Sequence, residues 1–285
     1  MLGAIIGDIV GSIYEFDNIK KKDFPFITDK SSYTDDSIMT IAVAEWLLTD
    51  NEHTHEVLEN VMVRYADKYK FPMGGYGGGF AQWLFRPERL IDYKTGEIAG
   101  KRVPYNSWGN GSAMRASAVG WKFRTLEETE KVAAISASIT HDHPEGIKGA
   151  QATAAAIWMA RNGRSKAEIK GYIEKTYGYD LDRTWEFLNR NYGWDSSCQG
   201  TVPEAIIAFL ESTDFEDAIR KAVSMGGDSD TLACITGGIA EAFYGEIPEG
   251  MVEVTQRVFP PIFHKIMDAL KSRSSYGDIV PNRCE

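Results

Sequence analysis

Two short segments of the sequence place paired aspartates and hydroxyl residues directly before an apolar helical stretch. The first is residues 33–37 (YTDDS), ahead of residues 38–48, and the second is residues 226–231 (GGDSDT), ahead of residues 232–244. Helix capping accounts for one such residue per helix, because a Ser, Thr or Asp at a helix start accepts a hydrogen bond from a free backbone N–H group. Capping accounts less well for two aspartates in each of two matched segments.

A divalent cation is the alternative that uses all four aspartates. Carboxylates two apart in an extended entry, or adjacent at a turn, can face a common point. The oxygen donors of the two segments are those of Thr34, Asp35, Asp36, Ser37, Asp228, Asp230 and Thr231. An all-oxygen set suits Mg²⁺ or Mn²⁺, whereas zinc favours His and Cys. The residues alone leave a metal site and paired helix caps both open, because they do not show that the two segments meet.

A third polar segment, residues 107–115 (SWGNGSAMR), begins a predicted helix with a glycine-rich turn. The backbone N–H groups of such a turn and the helix dipole can face a phosphate without any basic side chain. The same residues also fit an ordinary Asn-Gly turn, and Trp108 also fits a core position. Arg115, at the end of the segment, is expected to tie helices together by ion pairing.

His141 and His143 lie two residues apart after a predicted helix. Their spacing suggests a transition metal, but neither a Cys nor a third His lies near them in the sequence. His143 precedes Pro144, and we expect it to cap a helix or to lie at the surface.

The elements that position these segments are helical almost throughout. Apolar residues near the N-terminus follow the i, i+3, i+4, i+7 spacing of a helix with one buried face. Gly3, Gly7 and Gly11 recur on one stripe of that helix, which predicts a neighbouring helix packed very close. The other predicted helices are 37–49, 54–70, 112–121, 126–141, 145–161, 165–176, 202–211, 215–225, 230–244 and 260–272. The sequence therefore predicts an all-α protein.

Two stretches interrupt the helical pattern. Residues 72–79 (PMGGYGGG) are predicted to form a flexible or tightly turned loop. Residues 86–112 are rich in Pro, Gly, Asn and Tyr and lack a helical period. Long irregular loops inside helical folds are typically functional. With neither a linker nor an internal repeat, residues 1–285 are predicted to form a single domain.

Composition excludes several classes of protein. The chain has 285 residues, including 7 Trp, 13 Tyr and 13 Phe, so it has ample apolar surface for a core. A net charge of −10 makes bulk attraction to nucleic acid or anionic lipid unexpected. The three cysteines, Cys198, Cys234 and Cys284, are odd in number and form no CxxC pair, which argues against a disulfide framework. Cys234 is expected to be buried and inert. Without an apolar targeting or spanning segment, the expected location is the cytoplasm.

Five motifs give the chain a family resemblance that covers most of its length. They are GDIVGSIYEF (7–16), TDDS (34–37), GNGSAMR (109–115), THDHP (140–144) and GGDSDT (226–231). In this order they resemble the motifs of ADP-ribosylglycohydrolases. The resemblance implies a compact orthogonal helical bundle with two Mg²⁺ or Mn²⁺ ions in a central cleft.

The resemblance also implies roles for individual residues. The first ligand segment matches Thr34, Asp35 and Asp36, and the second matches Asp228, Asp230 and Thr231. Glu15, Asp35 and Asp36 are candidates for the carboxylate that takes a proton from water. The residues expected to bind the ligand are Ser107, Gly109, Asn110 and Gly111 at its diphosphate, Trp108 at its adenine, and His141. The loop 74–79 either approaches the diphosphate or is a mobile surface loop.

The expected activity is hydrolysis of the bond between ADP-ribose and a protein side chain or a small ADP-ribosyl conjugate. Two alternatives remain: a dinuclear-metal nucleotide phosphohydrolase, and a non-catalytic ADP-ribose-binding relative. Arginine-linked ADP-ribose is cleaved by relatives with an Asp where this chain has Ser107. A neutral Ser suits a phosphate oxygen better than a guanidinium, so we expect oxygen-linked conjugates to be preferred.

Overall fold

Helices make up the regular structure of residues 1–273, the part of the chain that this computed structural model describes. They are α1 (Leu2–Gly11), α2 (Asp35–Thr49), α3 (His55–Lys68), α4 (Gly78–Phe85), α5 (Gly111–Met114), α6 (Ser117–Lys122), α7 (Leu126–Ser138), α8 (Pro144–Arg161), α9 (Lys166–Tyr177), α10 (Trp185–Asn191), α11 (Cys198–Leu210), α12 (Phe215–Ser224), α13 (Ser229–Tyr244), α14 (Glu249–Val258) and α15 (Pro261–Arg273). Extended pairing within these residues is limited to isolated bridges, so the all-α prediction is confirmed. None of these helices is both long and apolar enough to cross a membrane.

Helix α1 packs directly against the buried helix α13 through its glycine stripe, as the sequence predicts. A Cβ atom built on Gly7 would lie 2.0 Å from the carbonyl oxygen of Ala233, and one built on Gly3 would lie 2.4 Å from that of Gly237. At the end of the stripe, a Cβ on Gly11 would lie 2.4 Å from the Cα of Asp230. This contact brings the end of α1 to the start of α13, where the second acidic segment lies.

Both acidic segments form helix starts, but a hydroxyl provides the cap at the first one. The Thr34 side chain accepts a hydrogen bond from the backbone N–H of Asp36 at 3.2 Å, which leaves the carboxylates of α2 free for other contacts. At the second segment, Gly226 and Gly227 have φ angles of 74° and 71°, a left-handed backbone that glycine adopts without strain. They turn the chain into α13.

The predicted helix boundaries fail in two places. Helix α4 begins at Gly78, inside the segment predicted as a loop, because Phe80, Trp83 and Leu84 supply an apolar face that the preceding glycines obscure. The single helix predicted over residues 112–121 is two helices, α5 and α6, which are separated at Arg115. Helices α10 and α14 were also not predicted.

Cys198 and Cys234 are buried free thiols, and Cys284 lies outside the described residues. The Cys234 thiol on α13 donates to the carbonyl oxygen of Met114 at 3.4 Å. Burial, and then nearby carboxylates, raises the pKa of Cys234 well above its ordinary value, so the thiol stays protonated and unreactive, as predicted.

The glycine contact between α1 and α13 gives a direct test of the fold. We expect Gly7→Ala to lower the free energy of unfolding by at least about 1–3 kcal/mol, because the new methyl group would collide with backbone that cannot move away. Urea denaturation measures the change. The matched control is Gly171→Ala in α9, where a Cβ meets no atom within 4 Å. That variant should gain up to about 1 kcal/mol from helix propensity. Equal behaviour of the two variants would contradict the packing argument.

Candidate active site

Three carboxylates from two distant parts of the sequence meet at the start of α13. One oxygen each from Glu15, Asp228 and Asp230 lies within 4.8 Å of the other two. Asp35 and Asp36, at the start of α2, line the same cavity, whose volume is about 390 Å³. The two acidic segments therefore do meet, which the sequence left open.

A hydrogen bond joins the two segments directly. The Thr231 hydroxyl donates to Oδ2 of Asp36 at 3.3 Å and so links α13 to α2. The other oxygen of this carboxylate, Oδ1, is buried and has no hydrogen-bond partner among residues 1–273. Buried polar atoms are almost always paired, so an unpartnered carboxylate oxygen beside an acidic cluster fits a bound cation.

Asp8, which was not predicted to be a site residue, holds the first acidic segment in place. This carboxylate lies inside α1 and is fully buried. It accepts hydrogen bonds from the backbone N–H groups of Thr34 and Ser37, both at 3.0 Å. It also accepts from their hydroxyls, at 2.7 Å from Thr34 and in a short contact from Ser37. Ser37 therefore faces Asp8. The available sequence signal was a charged residue inside an apolar helix.

Burial of so many carboxylates changes their acidity. Desolvation raises the pKa of Glu15 to about 7, and the charges of Asp228 and Asp8 add to this effect. Desolvation also raises the pKa of Asp8 to about 6, although the hydrogen bonds from Thr34 and Ser37 oppose it. The pKa values of three more carboxyls lie well above the ordinary value, for desolvation first and mutual repulsion second: Asp35, Asp36 and Asp230. A divalent cation would relieve both costs.

The glycine-rich turn of the third segment lies against the acidic cluster. The Asn110 side chain donates to Oδ2 of Asp228 at 2.8 Å and to the Thr201 hydroxyl at 3.1 Å. Its backbone N–H donates to the carbonyl oxygen of Ser196 at 2.8 Å, which anchors the turn to the chain before α11. The predicted ligand-binding residues on the wall of the cavity are Ser107, Gly109, Asn110, Gly111 and His141.

Trp108, expected at the adenine, is not among the residues that line the cavity, and neither is His143. The Trp108 side chain is 52% exposed, so the core position considered for it is wrong. Its ring contacts the ring of His143 edge to face at 5.5 Å between centroids. His143 is the N-cap of α8, where Nδ1 accepts from the backbone N–H of Glu145 at 3.1 Å. Its prediction as a capping residue is confirmed.

The loop 74–79 lies against Glu15 of the acidic cluster and lines the cavity. A Cβ atom on Gly74, whose φ is 75°, would lie 2.7 Å from Oε2 of Glu15. The whole loop lines the cavity. The loop therefore lies next to Glu15, and its last two residues are the first two of α4.

A stacked aromatic pair at the cavity was not predicted from the sequence. The rings of Phe16 and Trp194 are parallel within 19° with centroids 5.6 Å apart. They are 74% and 53% exposed, and both line the cavity. No local pattern marks this pair, because the two residues are far apart in the sequence and meet only through tertiary contact.

Arg115 ties helices together, but the predicted ion pairing is wrong. The guanidinium is fully buried, and its Nη2 donates to the carbonyl oxygen of Ser136 and to the Thr140 hydroxyl, both at 3.0 Å. No carboxylate within residues 1–273 pairs with it. Both acceptors are neutral groups, so Arg115 remains a buried positive charge at the wall of the cavity.

A second cavity, of about 510 Å³, lies between the N-terminus and α15. It is larger, but of its two lining carboxylates, Glu241 and Asp268, the first is occupied by an ion pair with the N-terminal amine of Met1. The acidic cluster and the glycine-rich turn both belong to the smaller cavity. The chemistry of the lining, and not the size, therefore identifies the smaller cavity as the candidate site.

Comparison with known proteins gives a consistent result. The family model described as ADP-ribosylglycohydrolase matches residues 1–277. Human ADP-ribosylhydrolase ARH3 is 28% identical over 87% of this chain and 86% of its own length. ADP-ribosylarginine hydrolase Tri1 of Pseudomonas putida is 24% identical over 86% of this chain and 69% of its own length. A solved structure described as an ADP-ribosylglycohydrolase-related protein complex shares the fold, with a TM-score of 0.69 at 23% identity over 96% of this chain and 95% of that one. This chain belongs to the ADP-ribosylglycohydrolase family.

Proposed function

We propose that this chain is a metal-dependent hydrolase that releases ADP-ribose from a modified protein side chain or a small ADP-ribosyl conjugate. The observation that carries the proposal is the hydrogen bond from Asn110 to Asp228. It joins a turn suited to a diphosphate to a cluster suited to divalent cations, inside one cavity. ADP-ribose offers one group to each of these: its diphosphate would face the turn, and the adjoining ribose, whose anomeric bond is cleaved, would face the acidic cluster.

The acidic cluster is the proposed site of two Mg²⁺ or Mn²⁺ ions. The residues that would hold them are Thr34, Asp35, Asp36, Asp228, Asp230 and Thr231. When bound, such ions supply positive charge that orients ribose hydroxyls and lowers the pKa of a water molecule. The unpartnered Oδ1 of Asp36 supports this assignment. Thr34 is fully buried and is not among the residues that line the cavity, and its hydroxyl proton is already donated to Asp8.

Glu15 is the proposed acceptor of the proton from water, ahead of Asp35 and Asp36. Cleavage of a ribosyl bond passes through an oxocarbenium-like state, so water must lose a proton as it attacks the sugar. Glu15 and Asp35 are both partly exposed at the cavity, whereas Asp36 is buried and bonded to Thr231. Glu15, unlike Asp35, lies in the group with Asp228 and Asp230. Glu15 therefore combines access to the cavity with membership of the cluster.

The proposed diphosphate site is the turn from Ser107 to Gly111, together with His141. The backbone N–H groups of Gly109 and Asn110 already donate within the protein, so the N–H group of Gly111 is the backbone donor proposed for an anion. A backbone donor suits a chain of net charge −10. The Ser107 hydroxyl accepts from the N–H of Gly109 at 3.1 Å and keeps its own proton to donate. Because Ser107 carries no charge that would attract a guanidinium, we propose that oxygen-linked acceptors are preferred over arginine.

The direct test is product analysis with matched substrates. Peptides ADP-ribosylated on Ser or on Arg, and O-acetyl-ADP-ribose, are incubated with the protein in Mg²⁺ or in EDTA. We expect intact ADP-ribose as the product, no turnover in EDTA, and a faster rate on the Ser peptide. Release of AMP would instead identify a phosphohydrolase. Binding of ADP-ribose without turnover of any conjugate would identify a non-catalytic relative, and a faster rate on the Arg peptide would contradict the role given to Ser107.

Three variants separate proton transfer from metal binding. Glu15→Gln is expected to lower kcat by about a hundredfold or more while ADP-ribose still binds, because general-base catalysis contributes about 10²–10⁴. Asp230→Ala is expected to lower both Mn²⁺ affinity and turnover, as is Asp35→Ala. Calorimetry with Mn²⁺ and with ADP-ribose, beside rate measurements, distinguishes the two classes. Near-normal turnover of Glu15→Gln would remove Glu15 from the mechanism.

The raised pKa values predict how metal stabilises the protein at different pH. In the metal-free fold, Asp8 and Glu15 titrate near 6 and 7, above their unfolded values, so their stabilising protons are lost as pH rises through that range. The increase in Tm on adding Mg²⁺ should therefore be larger at pH 8 than at pH 5.5, since metal replaces those protons.

The difference in Tm between Mg²⁺-loaded and metal-free protein cancels the pH-dependent contributions of groups outside the cluster, such as His141. Asp230→Asn is the control, because it removes one carboxyl from the cluster and should reduce the pH dependence of the Tm increase. The same Mg²⁺-induced increase at both pH values would contradict the assignment of the cluster as a metal site.

A further inference from the structure

A chain of hydrogen bonds behind the glycine-rich turn fixes the chemical state of His141. Nη2 of Arg115 donates to the Thr140 hydroxyl at 3.0 Å. Oγ1 of Thr140 lies 2.7 Å from Nδ1 of His141. All three side chains are buried.

The direction of each hydrogen bond follows from what each group can donate. A guanidinium has donors only, so the Thr140 hydroxyl must be the acceptor in its contact with Arg115. The hydroxyl has one proton, and among residues 1–273 the available acceptor for it is Nδ1 of His141. An Nδ1 that accepts a hydrogen bond carries no proton. A neutral imidazole then carries its proton on Nε2.

The surroundings keep this imidazole neutral. His141 is only 4% exposed, and burial lowers its pKa well below the ordinary value, with the positive charge of Arg115 as a second cause. The guanidinium is itself without a carboxylate partner in the described part of the chain, so its charge acts on the ring without being cancelled by an adjacent anion.

The protonated nitrogen faces the predicted diphosphate site. A Cβ atom built on Gly111 would lie 3.2 Å from Nε2 of His141, and one built on Gly109 would lie 3.6 Å from it. These glycines and His141 line the same cavity. An Nε2–H group in this position is a hydrogen-bond donor beside the backbone N–H group of Gly111.

We propose that Arg115 and Thr140 are positioning residues that hold His141 in its neutral Nε2–H form, so that Nε2–H donates to a phosphate oxygen of the ligand. The first half of this proposal concerns the protein alone. The second half rests on the proposed function, because that function supplies the diphosphate. The wrong tautomer would direct a lone pair of Nε2 at the phosphate, and the two would repel each other.

The tautomer is measured by nitrogen NMR on protein labelled with ¹⁵N-histidine, in Mg²⁺ and without nucleotide. The His141 resonances are assigned by their loss in His141→Gln. We expect an unprotonated Nδ1 and a protonated Nε2 in the wild type. Thr140→Ser should keep this pattern, whereas Thr140→Val should lose it, because Nδ1 then has no hydroxyl to accept from. A protonated Nδ1 in the wild type, or an unchanged pattern in Thr140→Val, would overturn the proposal.

The consequence for ligand binding is measured with ADP and adenosine. We expect Thr140→Val to weaken ADP binding about three- to tenfold, part of the value of a hydrogen bond to a charged group. Thr140→Ser should bind ADP like the wild type. Adenosine, which has no phosphate, should bind all three proteins equally. An equal loss for both ligands, or no loss of ADP binding, would overturn the phosphate contact.

Arg115→Met and Arg115→Lys test the first link of the chain. Methionine removes the donor and frees the hydroxyl to accept from Nδ1–H, so the Nε2–H form should lose its preference. Lysine keeps a donor and should retain it. If Arg115→Met does not fold, Arg115→Lys and the Thr140 pair still decide the question. The NMR result stands even if the protein hydrolyses no ADP-ribosyl conjugate, so failure of the two proposals can be told apart.

Discussion

The close contact between α1 and α13 is the constraint on which the site depends. Three glycines let the two backbones approach to distances that no side chain would permit. The last of them, Gly11, touches the Cα of Asp230. As a result, the residues that follow α1, with Glu15 among them, lie beside the start of α13. The acidic cluster is thus a consequence of backbone packing, and not of attraction between side chains that repel each other.

Buried hydrogen bonds offset part of the cost of collecting carboxylates in one place. Asp8 satisfies the first turn of α2 from inside α1, through four contacts with Thr34 and Ser37. The hydroxyl of Thr231 and the amide of Asn110 each bond one further aspartate. These contacts fix the geometry of the cluster, but burial first and mutual repulsion second still raise the pKa values of its carboxyls. A cluster whose geometry is fixed and whose negative charge is not balanced by nearby cationic side chains is suited to bind cations.

The part of the cavity wall formed by the glycine-rich turn and His141 carries hydrogen-bond donors in place of carboxylates. An acidic chain that is to bind an anion cannot rely on its overall field. Here neutral donors line the cavity beside one buried cation: the glycine-rich turn, the Ser107 hydroxyl and the imidazole of His141 lie there together with Arg115. The fully buried guanidinium of Arg115 contributes through its bonds to Ser136 and Thr140. The positive charge therefore lies at the wall of the cavity, where Arg115 also orders Thr140 and, through it, His141.

The sequence by itself determined the features that depend on local spacing. Helical periodicity gave the all-α class and most helix positions, and the glycine stripe gave the tight packing of α1. The two acidic segments and the turn at Asn110 stand out by residue type, and their family resemblance supplied expected roles. His143 as a helix cap and Cys234 as a buried thiol also followed from local pattern.

Tertiary structure alone decided the rest, because it concerns contacts between residues far apart in the chain. It brought Asp36 to Thr231 and Asn110 to Asp228, and it placed Asp8 under the first acidic segment. It stacked Phe16 on Trp194, gave Arg115 neutral partners in place of an ion pair, and exposed Trp108. Sequence spacing does not encode burial or tertiary partners. These two factors decide which side chains share a cavity and in which protonation state each one is held there.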